Sequence, residues 1–334
     1  MTGTRDGRRL TRVALCGVAL LLVAGAAVLP ARAAEPGATA RISFQSLTLP
    51  PTELGVFNAG GTPTAIWGDL QLPPNAPPRA PAVVLLHGAG GITPNLAEWA
   101  AEVHRLGMAS FVVDSFTPRG IRETRTGAAS INIATRVVDA YRALDLLAAH
   151  PRIDPEGIAV MGFSQGGGVV LLARQPRLQR LWAQGDRRFA AALAFYPSLC
   201  NLRLIDDETA TGPLRLFHGT ADDQTIIGPC REYVARMGAA GQDVALHEYA
   251  GAHHGFDLRD ARGVPQPHVL SARNCVYVER APGRIEVTHR EGGRPASAAD
   301  PCATRGITVA YDRAGHRQAI ADVRHLLMHA LGAR

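Results

Sequence analysis

The chain has 334 residues, of which 46% are hydrophobic, 19% charged and 5% aromatic. That balance excludes a disordered chain, a collagen, a long coiled coil and a zinc-finger array. With 35 Gly and 23 Pro it suits a loop-bearing, enzyme-like fold better than a helical bundle, and all 35 basic residues behind the formal charge of +6 are arginine, with no lysine.

The first segment reads as an address label. Arg5, Arg8, Arg9 and Arg12 precede an uncharged apolar stretch over 13–29, Pro30 breaks it, and Ala31-Arg32-Ala33 supplies a small-x-small cleavage pattern. This predicts a secretory signal peptide over 1–34, which leaves 35–334 as the folded domain. An uncleaved anchor is the competing reading, but the run ends in Ala-x-Ala, which favours cleavage and no membrane span afterwards. Cleavage removes five arginines and one aspartate, so the formal charge falls from +6 to +2. The basicity is then mostly label, and no nucleic-acid partner is expected.

Cysteine usage agrees with export to the periplasm or the exterior. Cys16 leaves with the signal, and Cys200, Cys230, Cys275 and Cys302 remain. Four cysteines allow three pairings, and an oxidising compartment favours two disulfides. The nearest-neighbour choice is Cys200–Cys230 with Cys275–Cys302. Free or metal-bound thiols are the rival, against which stands the lack of any Cys-x-x-Cys spacing.

Two partly alternating stretches, 41–49 and 64–72, read as leading strands, and the Pro-rich 73–81 as a loop. Short apolar runs follow at 82–86, 111–113, 158–161, 191–195 and 214–217, the last interrupted by Arg215, with a further strand at 244–249. Such runs mark strands buried on both faces. Between them, Leu96, Trp99, Ala100, Val103 and Leu106 recur at helical spacing and stop at Gly107. A second stripe comprises Ile133, Val137, Ala140, Tyr141, Leu144 and Leu147; Ile320, Val323, Leu327 and Leu331 mark a C-terminal helix. The alternation predicts an α/β fold, a doubly wound and mostly parallel sheet with helices on both faces. Residues 260–312 break the rhythm. Arg-rich and polar, they offer only short extended pieces at 275–279 and 284–288, and read as an arm inserted before the last helix and stapled by Cys275–Cys302.

The strongest chemical signal is Gly162-Phe163-Ser164-Gln165-Gly166, placed after one apolar run and before another. This is G-x-S-x-G in a strand–turn–helix context, which lifts a serine hydroxyl above a sheet. Chance supplies roughly 0.1 such pentapeptides in a chain of this composition, before the flanking pattern is required. The partners are expected in the order Ser, acid, His. Asp222, just past the run 214–217, is preferred over Asp223, which suits a turn or helix cap. His254, beside Gly255 and after the strand 244–249, is preferred over its neighbour His253 as the base. The Gly-rich loop His87-Gly88-Ala89-Gly90-Gly91 follows the run 82–86. The amides of Ala89 and Gln165 are the expected oxyanion donors. A phosphate cradle is the alternative for this loop, but no Gly-Lys-Ser/Thr follows it. Arg119, after the strand at 111–113, either binds a substrate carboxylate or holds its own loop.

The loop at 87–91, the stretch 112–120, the motif at 162–166, Gly219–Asp222 and His254-Gly255-Phe256 together resemble the dienelactone hydrolase family. The resemblance covers about residues 80–256. It implies an α/β-hydrolase fold and a Ser164–His254–Asp222 triad that cleaves an ester or lactone, with a small-molecule substrate and no metal or organic cofactor. The family's namesake carries a cysteine nucleophile. Ser164 in its place implies a serine esterase. Two other readings are a peptidase of the prolyl-oligopeptidase kind, for which no propeller precedes the domain, and an inactive relative serving as a binding module, which usually lacks a triad member.

Overall fold

The structure is a computed structural model and describes residues 2–3, 37–50, 60–297 and 299–332. All features of the expected signal peptide, and Cys16, lie outside the described residues. Two strands, β1 (Thr39–Thr48) and β2 (Thr62–Gln71), lead into β3 (Ala80–Leu86), α1 (Pro94–Arg105), β4 (Ala109–Asp114), α2 (Ile133–Ala148), β5 (Ile153–Phe163) and α3 (Gln165–Ala173). Next come α4 (Pro176–Trp182), β6 (Ala192–Phe195), β7 (Leu202–Arg203), β8 (Leu214–Gly219), α5 (Ile227–Ala239) and β9 (Val244–Tyr249). The inserted arm contributes β10 (Arg262–Ser271), β11 (Cys275–Ala281), β12 (Arg284–His289) and β13 (Thr304–Ala310), and α6 (Arg313–Leu331) follows it.

Eight strands form the main sheet in the order β1-β2-β4-β3-β5-β6-β8-β9. β1 with β2 and β2 with β4 pair antiparallel, and the remaining pairs are parallel. The central parallel strands are mostly apolar because both faces are covered. Along β3, Ala82, Val84 and Leu86 enter one hydrophobic cluster while Val83 and Leu85 enter the other. The first cluster is closed by α2, α3 and α4. The second is closed by α1 and α6, through Leu96, Trp99 and Val103 facing Ala319, Val323 and Leu327. The doubly wound α/β expectation is met, with helices on both faces of the sheet.

Caps and turns set the element ends. Asn132 accepts from the Ala134 amide at 3.0 Å to open α2, and Asp312 accepts from Ala314 and Gly315 to open α6. Helix α1 begins with Pro94, whose missing N–H costs nothing in a first turn.

The arm differs from the expectation of short extended pieces only. Its β11–β12 hairpin turns at Pro282-Gly283 between the two expected extended pieces, but β10 and β13 form a second antiparallel pair. Two register shifts interrupt that pair, and such irregularity removes the period of two by which a strand is recognised in sequence. β11 also pairs in parallel with β7, tying the arm to the segment after β6. Cys200 with Cys230 and Cys275 with Cys302 stand at disulfide distance, with Cα–Cα separations of 4.9 and 5.1 Å. Both pairs match the nearest-neighbour choice.

Arg119 is buried. It grips both carboxylate oxygens of Asp139 at 2.8 and 2.9 Å and donates to Thr48 Oγ1, to the Ser115 carbonyl and to the Leu47 carbonyl. Its role is to hold β1 and the loop after β4 against α2, and its donors are engaged inside the fold. The carboxylate-binding alternative is thereby excluded.

Opening the Cys275–Cys302 link should destabilise the fold through the unfolded state, because the closed segment spans 27 residues. The paired Cys275→Ser, Cys302→Ser variant is expected to lose about 3.5 kcal/mol, read from denaturant midpoints. Unchanged midpoints would contradict a formed bond.

Candidate active site

The chain passes from β5 to α3 through one residue. Ser164 has φ 52° and ψ −112°, a conformation that L residues rarely hold. The two flanking glycines make this turn possible by close approach. A Cβ at Gly162 would run into the Gly166 carbonyl, and one at Gly166 into the carbonyls of Leu86 and His87. The Ser164 amide donates to the Phe195 carbonyl at 2.9 Å, and its carbonyl accepts from Gly168 and Ser198 at 3.0 Å each. The hydroxyl is left facing a cavity of about 380 Å³.

Loops after β8 and β9 bring the other two groups to it. His254 Nε2 lies 3.0 Å from Ser164 Oγ, and His254 Nδ1 lies 2.7 Å from Asp222 Oδ2. His254 is 5% exposed and Asp222 4%, so this chain of contacts runs almost entirely out of water. The amides of Gln224 and Thr225 donate to Asp222 Oδ1 at 2.8 and 2.9 Å. Burial pushes the Asp222 carboxyl up, but the facing imidazole and the backbone donors outweigh it and hold the group below its ordinary range. The carboxylate is thus charged, and an imidazole with Nδ1–H donating to it presents a free Nε2 to the serine. Such an arrangement can draw a proton from Oγ as a nucleophile forms.

The rejected neighbours have other tasks. Asp223 accepts from the Thr308 amide of β13 at 2.8 Å, and its carbonyl accepts from Arg273. It docks the arm. The Nδ1 of His253 is buried and unpaired among the described residues, and the ring takes no part in the Ser164 contacts.

Ala89 and Gln165 both line the cavity beside Ser164. The Ala89 carbonyl is pinned by the Thr124 amide at 2.8 Å, while among the described residues neither the Ala89 nor the Gln165 amide has an acceptor. The Gln165 amide is orphaned for a general reason, as the first N–H of a helix. The far wall belongs to the arm, through Leu270, Ala272, Arg273, Tyr277 and Arg290. Among the described residues no group of three or more His, Cys, Asp or Glu is arranged to hold a metal ion.

Sequence reasoning missed three residues that fix the imidazole. Thr225 Oγ1 lies 3.0 Å from Asp222 Oδ2, 3.2 Å from His254 Nδ1 and 3.2 Å from the Tyr196 carbonyl. Tyr196, at φ 32°, packs its ring 4.6 Å from that of His254 and donates its hydroxyl to Asp257 Oδ1 at 2.6 Å. Asp257, fully buried, also accepts from Asn95 and Trp99 of α1, so the loop carrying His254 is moored to a helix. Asp257 stands three residues after His254, and a carboxylate in that apolar stretch is the signal that was available.

His87 donates Nδ1–H to the Gly88 carbonyl at 2.8 Å, and its Nε2 accepts from the Ser115 amide at 3.3 Å. Burial, and then the charge of Arg136, holds this imidazole well below 6.5. Burial likewise lowers His104, His150, His218 and His316. The folded state therefore binds fewer protons than the unfolded chain. Stability from these groups is complete above about pH 6.5 and is lost as pH falls towards their depressed folded values. Urea midpoints measured at pH 7.5, 6.5 and 5.5 should fall in that order. A flat series would show that these imidazoles are not held neutral.

The chain matches the model of the dienelactone hydrolase family over residues 68–282. A dienelactone hydrolase-like promiscuous phosphotriesterase from metagenomic libraries is similar at 18% identity and a TM-score of 0.54, over 87% of this chain and 99% of that one. A structure titled m3DLH is similar at 18% identity and a TM-score of 0.56, over 88% and 100%. At that identity the two structures speak for the fold. The family match covers more than half of the chain, and with it this protein belongs to the dienelactone hydrolase family, as a carboxylic ester hydrolase of α/β-hydrolase fold.

Proposed function

We propose that this protein is an exported serine hydrolase that cleaves a small carboxylic ester or lactone through an acyl-enzyme on Ser164. The observation that carries the reading is the pair of contacts, 3.0 and 2.7 Å, linking Ser164 to His254 and His254 to Asp222 at the floor of the cavity. His254 takes the Oγ proton as Oγ attacks the substrate carbonyl. The Ala89 and Gln165 amides, without acceptors among the described residues, receive the oxyanion. His254 then protonates the leaving alcohol and activates the water that releases the acid, while Asp222 holds its tautomer and balances the imidazolium.

The cavity volume lies in the range of small-molecule sites. Export is supported by the signal-like segment at 1–34 and by the pairing of all four remaining cysteines at disulfide distance. Among the described residues no helix is long and apolar enough to cross a membrane.

Ser164→Ala is expected to lower kcat on a short p-nitrophenyl ester by about 10⁴-fold or more. It should also abolish labelling by a fluorophosphonate probe, with the melting temperature little changed. A folded variant that keeps wild-type turnover and labelling would remove Ser164 from the chemistry.

A further inference from the structure

Helix α2 carries a charge on its apolar stripe. Arg136 falls three residues after Ile133 and four before Ala140, on the face that packs against the sheet, and is 1% exposed. Its hydrogen-bond partners are all neutral. Nη2 donates to the His87 carbonyl at 2.5 Å and lies 3.4 Å from His87 Nδ1, and Nη1 donates to Gln165 Oε1 at 2.7 Å. Nε is buried with no partner among the described residues. The guanidinium carbon sits 5.0 Å from the centre of the Phe116 ring.

The carboxylate one turn further on does not pair with it. Asp139 is gripped by Arg119 through both oxygens and also accepts from Ser46 Oγ. Arg119, Asp139 and Arg136 thus place two cations and one anion in the interior, a net positive charge behind the nucleophile. Burial, and then the Arg119 charge, pull Arg136 down to about 10 against the opposing pull of Asp139. It remains a cation at neutral pH. Asp139 attracts it more strongly than Arg119 repels it, yet no carboxylate among the described residues pairs with it directly, and a buried cation with no ion pair of its own is costly.

The two groups that Arg136 holds are those from which the oxyanion donors spring. His87 leads into Gly88 and Ala89, and a Cβ at Gly88 would stand 3.5 Å from that of Ser164. Gln165 carries the other donor on its own backbone. Negative charge is absent there with a neutral ester bound and appears only when the carbonyl carbon becomes tetrahedral.

We propose that Arg136 is the positioning residue of the oxyanion hole, and that its buried charge is the resident counter-ion of the tetrahedral intermediate. It acts through the His87 carbonyl and the Gln165 side chain, which fix the two amides, and through its field in a region of low dielectric. The inference rests on the acyl-transfer reading given above. It assigns Arg136 a share of transition-state stabilisation and none of ground-state binding.

Three replacements separate charge from scaffolding. Arg136→Lys keeps the cation, Arg136→Gln keeps a hydrogen-bond donor without charge, and Arg136→Met keeps neither. On a short p-nitrophenyl ester the Gln and Met variants are expected to lose about 10- to 100-fold in kcat with KM within about twofold. Their affinity for benzeneboronic acid, which becomes a tetrahedral anion on the serine, should weaken by the same factor. The Lys variant should retain most of both. A purely structural arginine predicts that Lys and Gln fail alike, or that KM and stability change while boronate affinity does not.

Gln165→Glu provides a fourth variant independent of whether α2 tolerates substitution. It sets a carboxylate on Arg136 Nη1, leaves the backbone amide in place and adds an ion pair to the fold. It should lower kcat and boronate affinity together, and wild-type values in it would overturn the proposal, as would wild-type values in folded Arg136→Gln. Fluorophosphonate labelling of Ser164 in each variant keeps the two questions apart. If labelling at Ser164 persists, a failed Arg136 series counts against the counter-ion alone; if wild-type protein is not labelled there, the acyl-transfer reading itself fails.

Discussion

The site depends on one turn. Between the last residue of β5 and the first of α3 the backbone reverses through Ser164 alone, and the strand, the helix and the loop after β3 must all come within van der Waals reach of each other there. Gly162 and Gly166 leave the room for it, since a side chain at either would occupy backbone positions of the neighbouring segment. The strain at Ser164 is held by hydrogen bonds to Phe195, Gly168 and Ser198. Because the parallel strands β3, β5, β6 and β8 all end at the same rim, the loops after β3, β8 and β9 are delivered to that hydroxyl with little further adjustment.

Much of this was legible in sequence, for identifiable reasons. Strands buried on both faces show as unbroken apolar runs, amphipathic helices show a stripe, and the G-x-S-x-G turn has no other economical use between a strand and a helix. Asp222 and His254 followed from their positions just beyond strand ends. What escaped was of two kinds. Helix α5 opens on Ile227-Gly228-Pro229, which reads as a loop although proline is tolerated in a first helical turn. Strands β10 and β13 pair with register shifts and so lack a regular alternation. The second kind was polar residues whose meaning depends on what faces them: Thr225, Tyr196 and Asp257 around the imidazole, and Arg136 on an otherwise apolar helix face. A charge on the stripe of α2 was visible, but nothing in the sequence says that Asp139 is already taken by Arg119.

Burial of charge is the second theme of the molecule. Asp139, Asp222 and Asp257 are among the carboxylates that stand fully or almost fully out of water, and each of these is answered differently. Asp139 has an arginine, Asp222 an imidazole with two amides, and Asp257 three neutral donors. Their environments differ accordingly: a fixed ion pair that binds β1 to α2, a carboxylate that faces the His254 imidazole, and an acceptor that moors a loop.

The inserted arm is part of the same mechanical unit. Asp222 and Asp223 are adjacent, yet the first faces His254 Nδ1 and the second faces the Thr308 amide of β13. The next residue of that strand, Val309, bridges to His254, and the Ala310 amide donates to the His254 carbonyl at 3.3 Å. A closed circuit therefore runs from the loop after β8 to β13, on to the backbone of His254, and back through its ring to the starting loop. Meanwhile Ser271 Oγ donates to the Gln224 carbonyl and Gln224 Nε2 donates to the Leu270 carbonyl, joining arm and loop, and residues of β10 and β11 wall the cavity. A displacement of the arm cannot occur without moving either the carboxylate loop or the imidazole. The segment that walls the cavity and the one that holds the backbone of His254 are thereby the same piece of chain, so the disulfide that staples the arm also constrains the geometry at Ser164.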